Sequence, residues 1–506
     1  MAHEQRSLAA RVAGAGAWTV GTRLAAKLID LAMLVCLARF LGPADFGLVA
    51  MAMAVVYIVE ALLEMPLGIV LLREPGLEAP MLDTAFTLGV LRGLAIAVLL
   101  LVLAWPLAWF NGEPRLAALL AVLALAPAAR SMSSPRMIEY TRALKFRPDA
   151  MVELSGKAVA FAVSVALAAA ARSHWAIAAA TVCAPLVGSA VSYAIAPFRP
   201  RLTLCEWRRF SHMLGWNFVS QFCVALSWQI DRLLLPRFTP MAAFGRYTMA
   251  KQLSEIPIQA LATPLMRPAM AALAAAGPDI RARYLQFLRA ILLVMIPVMA
   301  VPALWPQPLI RVALGPAWLP AAQWLQWICA VGLLSLPTLL VGALAQILDR
   351  THWAAVRTVI ELAVRLPLVW WGAAHHGIPG AVAASAVVSL LNLIVSLHIV
   401  RRLVGAGFGE QLRALWIPVA AATPAGAVLW AAQPVVMGAA GVAGLVARAV
   451  AFAALCALAY GLFVFAAWRL AGRPAGFERY AFERLAARLA FLWHGHAPPQ
   501  PGSPAP

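Results

Sequence analysis

Long apolar runs, broken by short clusters of Gly, Pro, Asn and charged residues, follow one another along almost the whole chain. A helix needs about 20 apolar residues to cross a hydrocarbon layer. The pattern predicts about fourteen spans, near 15–38, 46–71, 84–110, 115–138, 150–171, 174–197, 213–236, 242–271, 285–311, 318–348, 353–373, 378–400, 412–432 and 440–469. Between them stand turn-forming stretches such as GPADFG, NGEPR, ARSH, HHGIPG and AAQPVVMG. The runs are continuous or helically periodic, whereas a transmembrane barrel would show alternating segments of about ten residues. The fold class is an all-α polytopic membrane protein.

One turn occurs twice. RFLGPADFGLVAMA at 39–52 and RFTPMAAFGRYTMA at 237–250 match when shifted by 198 positions, pairing Arg39 with Arg237, Phe46 with Phe244 and Gly47 with Gly245. Each copy joins a first span to a second, and six spans intervene. The two copies therefore run in the same direction, as in transporters built from parallel repeats. The expected organisation is a six-helix bundle over 1–200 and a second over 201–404. Two further spans lie in 405–470, and a tail of 471–506 holds a basic amphipathic segment and a Pro-rich end.

Composition agrees with the pattern. Hydrophobic residues make up 63% of the chain and charged residues 12%, and the mean hydropathy is +0.83. A soluble domain carries about 25% charged residues. Of the 40 Lys and Arg, twenty-one fall on the N-terminus, the even-numbered connections and the tail, and five on the opposite loops. Short cytoplasmic loops retain Lys and Arg, so both termini are expected in the cytoplasm, with the chain in the inner membrane. The net charge of +19 reads as cationic loops against anionic headgroups. No basic recognition motif for nucleic acid accompanies it. Arg23, Lys27 and Asp30 interrupt the first apolar run, which makes it an uncleaved span rather than a signal peptide. The six cysteines are scattered without a CxxC pair, the pairs His375–His376 and His494–His496 have no further ligands, and no phosphate-binding GxxxxGK[ST] loop is present. Neither a metal, a cofactor nor an ATPase activity is implied.

Charges within the spans cost roughly 2.5–3.5 kcal/mol each on insertion scales, so they should face water or a partner. Arg23, Lys27 and Asp30 lie on one stripe of the first span, and Lys251 with Glu255 on the eighth. Arg357, Glu361 and Arg365 share a stripe of the eleventh span. Glu60 and Glu64 are on the second, Arg92 on the third, Arg130 on the fourth, and Asp231 with Arg232 on the seventh. Glu153 and Lys157, four apart, read as an ion pair. Arg23, Lys27, Lys251 and Arg365 are the candidates for holding an anionic headgroup such as a diphosphate. Asp30, Glu60, Asp231, Glu255 and Glu361 are candidates for ion coupling or for charge balance.

At LARFLGPADFGLVAMAMAVV the chain resembles the polysaccharide flippases of the multidrug/oligosaccharidyl-lipid/polysaccharide exporter superfamily. The stretches PRMIEYTRALKFRPDAMVEL, WRRFSHMLGWNFVSQFCVALSWQIDRLLLPRF and YTMAKQLSEIPIQALATPLMRPAMAAL fit the same family, over about residues 10–400. The resemblance implies two six-helix bundles that alternate between inward- and outward-open states and move an undecaprenyl-diphosphate oligosaccharide to the outer leaflet. It implies cations on the first, second and eighth spans around the diphosphate. Arg23, Lys27 and Lys251 match, whereas the second span carries Glu60 and Glu64. The expected function is flipping a lipid-linked oligosaccharide for exopolysaccharide, capsule or O-antigen synthesis, with a polymerase and chain-length machinery as possible partners. A cation-coupled drug or metabolite antiporter is the alternative. A membrane glycosyltransferase would need a long outer loop with paired carboxylates, which the chain does not offer, so no enzyme activity is expected.

Overall fold

The structure is a computed structural model and describes residues 2–74, 76–211, 216–438, 441–470 and 472. Among these residues the regular structure is helical, in chain order α1 (Ala2–Phe40), α2 (Pro43–Leu62), α3 (Leu67–Arg73), α4 (Ala79–Asn111), α5 (Arg115–Leu123), α6 (Leu125–Ser131), α7 (Met137–Arg142), α8 (Arg147–Ala171), α9 (Trp175–Ile195) and α10 (Trp207–Ser211). There follow α11 (Trp216–Phe238), α12 (Met241–Pro257), a π-helical turn at Ile258–Ala262, α13 (Thr263–Ala274), α14 (Ile280–Leu304), α15 (Pro306–Ala313), α16 (Ala322–Ser335), α17 (Val341–Ile347), α18 (Thr351–Val404), α19 (Phe408–Met437) and α20 (Gly441–Leu470). The amphipathic segment and Pro-rich end expected after Arg473, with His494 and His496, lie outside the described residues.

By length and composition, nine helical segments among the described residues can cross a membrane. One of them, α18, is two helices joined at Gly377, whose φ of 59° breaks the run. The other expected spans, near 15–38, 115–138, 213–236 and 242–271, are helical but charged or interrupted. Several boundaries differ from the sequence reading. The second span is not continuous: it stops at Leu62 and resumes at Leu67, because Pro66 disfavours helical backbone at Met65. The fourth breaks at Ala124 and ends at Ser131, short of 138. His375 and His376 stand in the helix that leads up to Gly377 rather than in a loop.

The chain forms two compact units, Met1–Met249 with Leu362–Ala381, and Ala250–Glu361 with Val382–Pro506. In the first, α1 packs on α8, α8 on α9, α2 on α11, and α4 on α5 and α6. Helix α2 begins at Pro43, whose fixed φ suits the first helical position. The Asp45 carboxylate accepts the Gly42 N–H at 3.3 Å, which satisfies a donor at the helix start. Leu48, Met51, Ala52, Ala54, Val56 and Val59 are all buried, so α2 is enclosed on several sides.

The repeated turn has a packing role. A Cβ placed on Gly47 would stand 2.6 Å from the Met241 carbonyl oxygen, and one on Gly245 would stand 1.7 Å from that of Pro43. The two copies thus press backbone against backbone, as small residues allow in membrane helix pairs. Met51 and Met249, equivalent in the repeat, are each 1% exposed. At the turn after α4, Gly112 adopts φ 65°, and Arg115 donates to Glu113 at 2.8 Å. That bond holds the Glu113 carboxyl below the ordinary carboxylate range.

In the second unit α14 packs on α16 and α19, and α19 on α20. Pro297 has no N–H and leaves the Leu293 carbonyl without its helical donor. The Tyr460 hydroxyl of α20 donates to that oxygen at 3.1 Å. Trp305 likewise donates its indole N–H to the Leu429 carbonyl.

The glycine contact gives a direct test. Gly245→Ala forces a methyl group into the Pro43 carbonyl, and its cost should reach or exceed the upper end of the roughly 1–3 kcal/mol typical of overpacking. Gly461→Ala, where nothing lies within 4 Å of the added carbon, should leave stability unchanged or slightly raised. Thermal unfolding of the purified protein in detergent measures both.

Candidate functional site

Two interrupted spans are each mended by an arginine from a neighbouring helix. Where α2 stops, the Leu63 and Glu60 carbonyls lack helical donors, and Arg92 of α4 donates to them at 2.7 and 3.4 Å. In the second unit the span 316–347 breaks at Leu336–Thr338 between α16 and α17. Arg357 of α18 donates to the Thr338 carbonyl at 3.3 Å. In hydrocarbon an unsatisfied carbonyl costs several kcal/mol, so these two intramembrane cations have structural partners.

The first unit gathers the remaining charges of α1, α2, α6, α8 and α11. Lys157 donates to Asp30 at 2.5 Å, which corrects the expected pairing of Lys157 with Glu153: the partner is on α1, and Glu153 is exposed. Arg130 donates to Glu60 at 2.7 Å. Glu64 lies in the break after α2, not within a helix, and accepts from Gln221 at 2.9 Å. Arg232 donates to Gln229 of its own helix at 3.1 Å. Tyr57, one turn before Glu60, is 45% exposed and lies within electrostatic reach of Arg232, Glu60, Arg130 and Asp30. Arg23 and Lys27 are exposed, one turn apart on α1.

Asp231 occupies a different environment from its neighbour Arg232. Its side chain is 1% exposed, and Arg365 donates to it at 3.3 Å. The Tyr247 hydroxyl donates to the same oxygen at 3.1 Å. A headgroup candidate, Arg365, and an ion-coupling candidate, Asp231, are therefore partners, tying α11 and α12 to the stretch of α18 that belongs to this unit.

Lys251 and Glu255 belong to the second unit, on α12, just before the π-helical turn at Ile258–Ala262. Such turns expose backbone groups and often accompany functional sites. Glu361 accepts from the Asn392 amide at 3.0 Å. An apolar pocket of about 230 Å³ between α14, α19 and α20 is lined by Pro297, Ala425, Gly426 and Cys456 among others, a surface suited to hydrocarbon rather than to sugar. Among the described residues no three His, Cys, Asp or Glu are grouped to hold a metal ion.

Sequence reasoning left Tyr57, Gln221 and Asn392 out of the site. An amide inside an apolar run is a readable signal, because it too needs a partner in hydrocarbon. A lone tyrosine gives none, since tyrosines are ordinary at membrane interfaces. The pairs Asp30–Lys157, Glu60–Arg130 and Asp231–Arg365 join residues far apart in the chain, which helical spacing does not reveal.

Solved structures place the fold. It is similar to the lipid II flippase MurJ in an inward closed conformation, with a TM-score of 0.65 and 12% identity, covering 88% of this chain and 98% of that one. It is also similar to an inward-facing multidrug resistance MATE family transporter, with a TM-score of 0.58 and 14% identity, covering 75% of this chain and 94% of that one. The fold is thus the polytopic helical fold that these structures share. The family model described as polysaccharide biosynthesis protein matches residues 36–323, more than half of the chain. The chain belongs to that family. It is 20% identical over 431 residues to the lipopolysaccharide biosynthesis protein WzxC of Escherichia coli strain K12, covering 81% of this chain and 85% of WzxC. It is 25% identical over 362 residues to the amylovoran biosynthesis protein AmsL of Erwinia amylovora, covering 67% and 89%.

Burial separates the two best-defined ion pairs. Removing Arg365 leaves the Asp231 carboxylate buried, and Arg365→Ala should cost about 3–5 kcal/mol. Arg130 is 61% exposed, so Arg130→Ala should cost no more than about 1 kcal/mol. Chemical unfolding in detergent compares them, and equal costs would contradict this ranking.

Proposed function

We propose that the protein is an inner-membrane flippase that carries a lipid-linked oligosaccharide, of the undecaprenyl-diphosphate class, to the outer leaflet for polysaccharide assembly. The observation that carries this reading is the distribution of charge. Asp30, Glu60 and Asp231 each have a cationic partner inside the first unit, while Arg23 and Lys27 are exposed on α1. A diphosphate offers several acceptor oxygens to such a pair of cations. The paired carboxylates are also less suited to a cation-coupled drug antiporter, which needs an acid able to take up its coupling ion. Membership in the polysaccharide biosynthesis family and similarity to WzxC, a lipopolysaccharide biosynthesis protein, favour the same reading.

In this proposal Arg23 and Lys27 receive the diphosphate, Lys251 of the second unit is a further headgroup cation, the polar side chains around Tyr57 face the sugars, and the polyprenyl chain stays in lipid. Arg365 serves chiefly to hold Asp231, while Glu255 and Glu361 balance charge in the second unit. The six-helix bundles 1–200 and 201–404, with 405–470 added, alternate access, and both termini are cytoplasmic. A polymerase and chain-length machinery take up the product.

Deletion of the gene should abolish surface polymer and accumulate lipid-linked oligosaccharide on the inner leaflet. Complementation with Arg23→Gln/Lys27→Gln should restore less than about a tenth of the polymer, given that charge-assisted phosphate contacts contribute roughly 1.5–3 kcal/mol each. Normal polymer in the deletion strain, with no related gene to replace it, would refute the proposal.

A further inference from the structure

The connection between α9 and α11 is held in an unusual way. Its backbone has no regular secondary structure from Pro197 to Leu204 and is clamped to the start of α4 by three buried polar side chains. Asp83 accepts the Arg201 N–H at 2.9 Å, Thr87 the Thr203 N–H at 3.1 Å, and Thr84 the Glu206 N–H at 3.4 Å. Phe210 is buried against Val70, Leu71, Met81, Leu82 and Leu88, and Phe198 packs on the same cluster. Further back, Arg136 donates to the Pro197 carbonyl at 3.2 Å and Tyr140 to that of Ile195 at 3.3 Å.

These clamps decide which side chains point outward. With the N–H groups of 201 and 203 turned to α4, Leu202 is 77% exposed, Leu204 45% and, just beyond, Trp207 48%. The backbone bonds to α4 hold the segment while these apolar side chains stay exposed. Arg199, Arg201 and Arg208 are exposed beside them. Arg209 is engaged with Glu206 at 2.9 Å and Glu74 at 3.5 Å, so the acids of this face are directed to Arg209. Apolar tips flanked by arginines at the end of a membrane helix match the acyl–headgroup boundary of an anionic leaflet.

We propose that this connection is a built docking site for anionic phospholipid, with Leu202, Leu204 and Trp207 inserted at the boundary and Arg199 and Arg201 on the headgroup phosphates. It rests on the reading that this end of the first unit faces the cytoplasm, where anionic lipid and basic loops coincide.

The test uses the full chain with its six cysteines replaced and a nitroxide on Leu202→Cys, reconstituted in bilayer discs. In phosphatidylglycerol the label should collide more with oxygen than with a water-soluble nickel chelate. The preference should fall in phosphatidylcholine and in Arg199→Gln/Arg201→Gln, with affinity for spin-labelled phosphatidylglycerol dropping roughly fivefold per arginine. A nickel-dominated label in phosphatidylglycerol overturns the proposal, as does insertion indifferent to lipid charge and to both arginines. Orientation is read separately: an impermeant maleimide should not reach exposed Cys205 from outside intact spheroplasts. If it does, the cytoplasmic reading fails while the disc result still reports lipid contact.

Discussion

A backbone carbonyl in hydrocarbon must find a donor, and the broken helices of this protein depend on that requirement being met. A continuous helix satisfies it unaided. Proline and helix ends do not, and here side chains supply the missing donors: Arg92 at the end of α2, Arg357 at the break after α16, Tyr460 opposite Pro297. Each donor comes from another helix, so the bond that repairs one helix also fixes where its neighbour lies. The interruptions are therefore stable features of the fold and can shape a polar interior.

The same requirement sorts the intramembrane charges. Arg92 and Arg357 are occupied by carbonyls, Lys157, Arg130 and Arg365 by carboxylates. Asp231 is the most deeply enclosed of these acids, and two donors on different helices converge on a single one of its oxygens. That arrangement suits a fixed joint within the first unit. Arg23 and Lys27 differ from Asp231 and its donors in being exposed on one face of α1.

Much of this architecture can be read in the sequence because its causes are local. Apolar length marks α4, α8 and α9, and the turn residues around Gly377 mark a break by releasing one residue's backbone. The repeat at 39–52 and 237–250 is readable because the two copies share one packing problem. Gly47 and Gly245 meet across it, and no other residue would let the backbones approach so closely. The pairing of charges was not legible in the same way. Helical spacing offers Glu153 to Lys157, yet Asp30 from α1 takes that place, since α1 packs along α8. Glu60 and Arg130 are seventy residues apart, and only the fold brings them together.

Length and composition identify spans best where a helix is simply a solvent-matched rod, and least well where it is built for something more. The segments near 15–38, 213–236 and 242–271 fall outside the nine most apolar ones because they carry Arg23, Lys27, Asp30, Asp231, Arg232, Lys251 and Glu255. Insertion of such segments is costly, so their polar residues must be offset by partners within the fold or by a ligand. Asp30 and Asp231 have partners in the fold. Arg23 and Lys27 of α1 are exposed, where water or a headgroup can solvate them. Weak hydropathy at these spans thus marks the helices whose polar residues the fold has to accommodate.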